Sequence, residues 1–164
     1  MNNSLIFIVE DNKVYNRMVA GYLTKKNFQN VRSFFSGNEC IQAIKNGEKP
    51  DIVIQDYFMD GMNGLQVMQH VKQICPKTEF ILLTGHESTE VAVNSMKHGA
   101  YDYIIKDEVA LDKANDKIRK IIQVKRLKRK NKQIKSYMII TIVVLTLIVL
   151  LSILIFAADI LNLK

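Results

Sequence analysis

Five short apolar runs recur along the first two thirds of this chain at nearly even intervals: LIFIV at 5–9, VRSFF at 31–35, DIVI at 51–54, FILLT at 80–84 and YDYII at 101–105. Between them lie stretches with helical spacing, at 14–26 after an Asp-Asn start, 37–45 after Ser36, 65–74 after Asn63 and 90–98 after Ser88, with a last helix beginning near Leu111. Asn and Ser at those starts suit helix N-caps, because their side-chain oxygens accept from amides that the first turn leaves unpaired. Gly99 suits a helix stop. Strand and helix in strict alternation predict a parallel sheet with helices on both faces, since parallel strands need crossover connections. Three of the runs are almost continuously apolar, as strands covered on both faces are.

In such sheets ligands bind beyond the carboxyl ends of the strands. Those ends carry Glu10 and Asp11 after the first strand, Asp56 after the third, Thr84 after the fourth and Lys106 after the fifth. A carboxylate at the tip of a buried strand is costly unless a partner or metal offsets its desolvation. Three clustered acids are stable only if protonated or if a cation sits among them. Oxygen ligands with open positions suit Mg²⁺. A hydroxyl and an ammonium beside the metal suit an incoming phosphoryl group, whose oxygens need positive charge and donors, with one carboxylate as nucleophile.

The pattern resembles the receiver domain of two-component response regulators over about residues 4–123. The resemblance rests on the Glu10-Asp11 pair, Asp56 with Met59, Met62 and Gly64 behind it, Thr84, Tyr103 and Lys106. It implies a doubly wound, flavodoxin-like five-stranded sheet in the order 2-1-3-4-5. It implies that Asp56 accepts a phosphoryl group from a sensor histidine kinase or phosphotransfer protein, catalysing only its own transfer and slow loss. Asp11 and Asp56 would ligate Mg²⁺ directly, Glu10 through water, and the main-chain carbonyl of Phe58 would complete the protein's ligands. Lys106 would pair with Asp56 and then with the phosphoryl oxygens. Thr84 would move to the phosphoryl group and Tyr103 would swing inward, a local charge biasing a two-state element. Phe58 and His86 stand where the family tunes phosphoryl lifetime.

Each assignment has a plainer reading. Tyr103 also suits a half-buried strand aromatic, Thr84 a strand cap, and Met59, Met62 and Met68 packing. His70, His86 and His98 have no metal-ligand spacing, and Cys40 and Cys75 read as reduced and structural. A phosphohydrolase would need an acid two residues beyond Asp56, where Phe58 stands. A degenerate receiver serving as a phosphorylation-independent docking scaffold is the alternative reading. Two positions depart from the family: Asp60 and Asp107 stand where proline is common, and the second leaves the shape of the Lys106–Asp107 peptide open.

The net charge of +7 invites a nucleic-acid reading, but its distribution opposes one. Residues 1–116 carry 12 Lys/Arg against 15 Asp/Glu, whereas 117–135 carry 10 Lys/Arg and no acid. That basic block runs into MIITIVVLTLIVLLSILIFAA at 138–158, 21 residues without charge, Pro or Gly. As a helix this run would be roughly 31 Å long, against a hydrocarbon core of about 30 Å. The expected organisation is a receiver domain at 1–123, a basic juxtamembrane helical stalk at 124–136, a transmembrane helix at 137–158 and a short tail at 159–164. Positive charge flanking a span marks the cytoplasmic side and meets anionic lipid. Five apolar residues before Glu10 are too few for a signal-peptide core, and no DNA-reading pattern follows the receiver. These features predict a single-domain regulator on the inner face of a bacterial cytoplasmic membrane, signalling by contact with a downstream protein. A homodimer is compatible with the stalk, though the span lacks the Gly-x-x-x-Gly pairing pattern.

Overall fold

The computed structural model describes residues 4–85 and 87–162, with side chains through Leu150. The chain divides into two compact units, Met1–Ile122 and Gln123–Lys164. In the first unit β1 (Ile6–Val9), β2 (Val31–Phe34), β3 (Ile52–Asp56), β4 (Glu79–Thr84) and β5 (Asp102–Ile105) alternate with α1 (Lys13–Lys25), α2 (Gly37–Lys45), α3 (Gly64–Ile74), α4 (Thr89–Lys97) and the start of α5 (Ala110–Asn162). The strands pair in parallel in the order β2-β1-β3-β4-β5. This is the expected five-stranded sheet. The three apolar strands β1, β3 and β4 occupy its centre, and β2, half exposed, forms an edge.

The helix starts follow the sequence closely. Asn12, Ser36, Asn63 and Ser88 are the N-caps of α1 to α4, each accepting from backbone amides of the first turn. At α3 the cap is reciprocal: Asn63 Oδ1 accepts from Gln66 N at 2.9 Å while Gln66 Oε1 accepts from Asn63 N at 3.1 Å. One difference matters for function. β3 runs two residues further than its apolar letters, so Asp56 is the last residue of the strand. The stretch expected as fifth helix, stalk and span is one continuous helix to Asn162.

Alternation along each strand sorts the side chains into two cores. Phe7, Val9, Val53, Tyr57, Phe80 and Leu82 pack with α2 and α3 residues on one face. Ile6, Ile8, Ile52, Ile54, Ile81, Leu83 and Ile104 pack with α1 and α5 residues on the other. Cys40 lies fully buried in the first core, where burial pushes its thiol up to about 12, and both cysteines are free. In the second unit the described side chains of the helix are exposed except for Lys125, which is partly buried. It is the one helix among the described residues long and apolar enough to cross a membrane, by length and composition.

Candidate functional site

The carboxyl ends of β1 and β3 bring Glu10, Asp11 and Asp56 together: one carboxylate oxygen from each lies within 4.8 Å of the others. Glu10 and Asp56 continue the alternation of Ile8 and Ile54 on the α1/α5 face, and both are buried. Lys106 follows β5 and reaches across the same face. Its Nζ donates to Glu10 Oε2 at 2.7 Å and to Asp56 Oδ2 at 2.7 Å, with only 16% of the side chain exposed. Removing one partner from a buried pair of this kind costs about 3–5 kcal/mol, because the remaining charge is stranded.

One ammonium does not balance three acids. Burial pushes the Glu10 carboxyl above its ordinary value; the hydrogen bond from Lys106 opposes this and the nearby charge of Asp56 reinforces it. Glu10 Oε1 is buried with no hydrogen-bond partner. An orphaned carboxylate oxygen beside two more acids is the donor set of a small, hard cation, so these residues fit a divalent ion.

The backbone around Asp56 is tightly determined. Gly64, at the start of α3, donates its N–H to Tyr57 O at 2.8 Å; a Cβ there would lie 2.6 Å from the carbonyl oxygen of Asp56. Only glycine lets α3 approach the strand end this closely. Phe58, 47% exposed, donates its N–H to Asp56 Oδ1 at 3.3 Å, while its ring meets Tyr57 edge-on at 4.9 Å.

Both positions that stand where the family commonly has proline use the N–H that proline lacks. Asp60 N donates to Asp11 Oδ2 at 3.2 Å, tying the loop after β3 to the acid after β1. Asp107 N donates to Ile105 O at 2.9 Å, and the Lys106–Asp107 peptide is trans. The Asp107 side chain then opens α5: Oδ1 accepts from Val109 N at 3.1 Å and Oδ2 from Lys113 Nζ at 2.7 Å, which holds its carboxyl below the ordinary value.

Thr84 and Tyr103 lie on the other face of the sheet. Thr84 ends β4, fully buried, on the side of Phe80 and Leu82; Tyr103 is half-buried against that same core, in register with Leu82. Lys106 N donates to Thr84 O at 2.7 Å, so the backbones of the two strand ends are joined. His86 lies outside the described residues.

Sequence reasoning missed three residues. Asn16, buried on α1, donates through Nδ2 to Glu10 O at 3.1 Å and Phe34 O at 3.0 Å, fastening α1 to two strand ends. Tyr15 places its ring under the Lys106 ammonium, 4.4 Å from Nζ to the ring centre. Gln55 is fully buried beside Asp56 with both amide atoms unpaired. An Asn at the fourth helix position and a lone Gln ending an apolar run were the available signals, and neither is specific.

A parallel sheet in this order, with its acids where strand order reverses between β1 and β3, defines a doubly wound α/β domain whose site sits at the switch point. The chain belongs to the response regulator receiver domain family, whose model matches residues 6–123. It is 32% identical to the DNA-binding transcriptional regulator NtrC of Salmonella typhimurium, over 65% of this chain and 22% of that protein. It is also 32% identical to a putative NtrX-like response regulator of Rickettsia bellii, over 82% of this chain and 28% of that protein. Among solved structures, a response regulator receiver domain from Clostridium thermocellum superposes with a TM-score of 0.68 at 26% identity, covering 76% of this chain and 98% of that one. NtrX from Brucella abortus superposes with a TM-score of 0.69, also at 26% identity, over 79% of this chain and 29% of that one. The chain thus spans only about a quarter of the length of these curated relatives.

Proposed function

We propose that this protein is a phosphorylatable receiver held at the inner face of a bacterial cytoplasmic membrane, with Asp56 as phosphoacceptor. The observation that carries the reading is the convergence of Glu10, Asp11 and Asp56 within 4.8 Å, with the Lys106 ammonium bridging two of them. A carboxylate oxygen of Asp56 attacks the phosphorus of a phosphohistidine, the P–N bond breaks and the imidazole departs. Lys106 exchanges its bond to Asp56 for one to a phosphoryl oxygen while keeping Glu10. Thr84 and Tyr103, on the opposite face, transmit the change to the surface of α4, β5 and α5, where a downstream protein reads it. Glu10, Asp11, Asp56 and the Phe58 carbonyl would hold Mg²⁺, which supplies charge neutralisation for the phosphoryl oxygens. Asp60, through its N–H, keeps the Asp11 carboxylate oriented towards that centre.

Membrane attachment is supported by ten Lys/Arg without an acid at 117–135, followed by the uncharged run at 138–158. The positive block suits the cytoplasmic flank of a span and the anionic headgroups beside it. The domain limits follow as 1–123 for the receiver, 124–136 for the stalk, 137–158 for the span and 159–164 for the tail.

Incubating the full chain with Mg²⁺ and acetyl phosphate is expected to yield one hydroxylamine-labile phosphate per chain, absent from Asp56→Asn. Label that persists in that variant overturns the nucleophile assignment. A wild-type chain that takes no phosphate favours the docking-scaffold reading instead.

A further inference from the structure

We infer that the ring of Tyr15 is the third wall of the Lys106 seat and acts as a positioning residue for phosphoryl transfer to Asp56; this rests on the phosphoacceptor reading above. An ammonium has three donors. Two of those on Lys106 are taken by Glu10 and Asp56 at 2.7 Å, and the Tyr15 ring centre stands 4.4 Å from Nζ. At that range the negative face of an aromatic ring attracts a cation, more strongly where water is excluded. Lys106 is mostly buried, so water is largely excluded.

The helical turn that carries the ring is fixed twice, and the ring itself is packed. Tyr15 N donates to the capping Asn12 Oδ1 at 3.1 Å, fixing the first turn of α1. The next residue, Asn16, clamps that turn to the ends of β1 and β2. The ring itself packs on the α1/α5 core. Burial first, then the charges of Glu10, Asp56 and Asp107, pushes the Tyr15 hydroxyl up to about 12. The ring therefore stays neutral at ordinary working pH.

The seat matters because the ammonium must change partners during the reaction. With acetyl phosphate, an Asp56 oxygen forms the new P–O bond, the bond to the acetyl oxygen breaks, and acetate leaves with the electron pair. Lys106 gives up one carboxylate oxygen and takes a phosphoryl oxygen. Glu10 alone would let the flexible lysine stem swing about one contact; the ring confines that swing to the side where the phosphoryl group arrives.

The test uses the full chain in detergent micelles with acetyl phosphate and Mg²⁺. Tyr15→Phe is expected to keep the phosphorylation rate within about twofold and Tyr15→Leu to lower it about tenfold, in line with a desolvated cation–ring contact. Phenylalanine at position 15 carrying one, two and three fluorines keeps the shape and weakens the ring's negative face, so the rate is expected to fall stepwise. A second readout needs neither donor nor metal: with ¹³C-lysine labelling, the Lys106 ε-methylene should resonate upfield by ring-current shielding and return to the normal position in Tyr15→Leu. Wild-type labelling with equal rates across the fluorine series overturns the inference and leaves the phosphoacceptor reading intact. An unphosphorylatable wild type with the upfield lysine resonance overturns the phosphoacceptor reading, and the role in transfer with it.

Discussion

Gln55 shows how a single residue can sit against the grain of its surroundings. It occupies the strand position before Asp56, on the face of Val53 and Tyr57, flanked in register by Val9 and Leu82. Its fully buried amide has no partner for either polar atom. Leaving a buried donor or acceptor unpaired costs about 1–3 kcal/mol, whereas an apolar side chain of similar shape escapes that cost. Gln55→Leu is therefore expected to stabilise the domain by about 1–3 kcal/mol, read as a higher urea midpoint with unchanged slope. A lower midpoint would show that the amide is satisfied. The sequence could not reveal this residue, because a polar letter ending an apolar run reads as the start of a loop. Asp56 was legible for the opposite reason: the chemistry of a carboxylate at a strand tip is unusual enough to stand out without coordinates.

At the scale of elements, α1 and α5 lie on the same sheet face and are tied by polar contacts at its rim. The Tyr22 hydroxyl and Lys26 Nζ both donate to Asp112 Oδ1, and Arg119 Nη2 donates to Lys26 O at 3.3 Å. The hydrogen bond from Tyr22, and then that from Lys26, holds the Asp112 carboxyl below its ordinary value. A depressed carboxyl pKa stabilises the fold at pH values above the unfolded value of about 3.9, and that contribution is lost as pH falls through the folded value. Asp112→Asn is expected to flatten the acid limb of the stability curve below about pH 4 and to leave the curve's shape at neutral pH unchanged; an acid limb of the same slope in both proteins would remove the pair from the account. The helices themselves were readable almost to the residue, since Asn12, Ser36, Asn63 and Ser88 announce their starts. What joins them was not. Tyr22 and Asp112 are 90 positions apart, and no local pattern encodes a contact that depends on the crossover between them.

For the whole molecule, charge and apolarity are divided along the chain. The receiver portion is slightly acidic, the segment from 117 to 135 is strongly basic, and the uncharged run follows directly. If that run spans a bilayer, the full chain should sediment with membranes and resist alkaline carbonate, while a chain ending at Gln123 should stay in the supernatant. Recovery of the full chain in the soluble fraction would remove the membrane from the proposal. Within the receiver itself a different division governs. Glu10, Asp56 and Lys106 stand on one side of the sheet and Thr84 and Tyr103 on the other, each assigned by odd or even position along its strand. Tyr103 and Lys106 are three residues apart, so losing or gaining one residue between them would put both on the same side of the sheet. Substitutions can accumulate around this centre, as Asp60 and Asp107 illustrate, while insertions and deletions at the strand tips cannot. Descendants of this protein should therefore vary in spelling far more readily than in spacing.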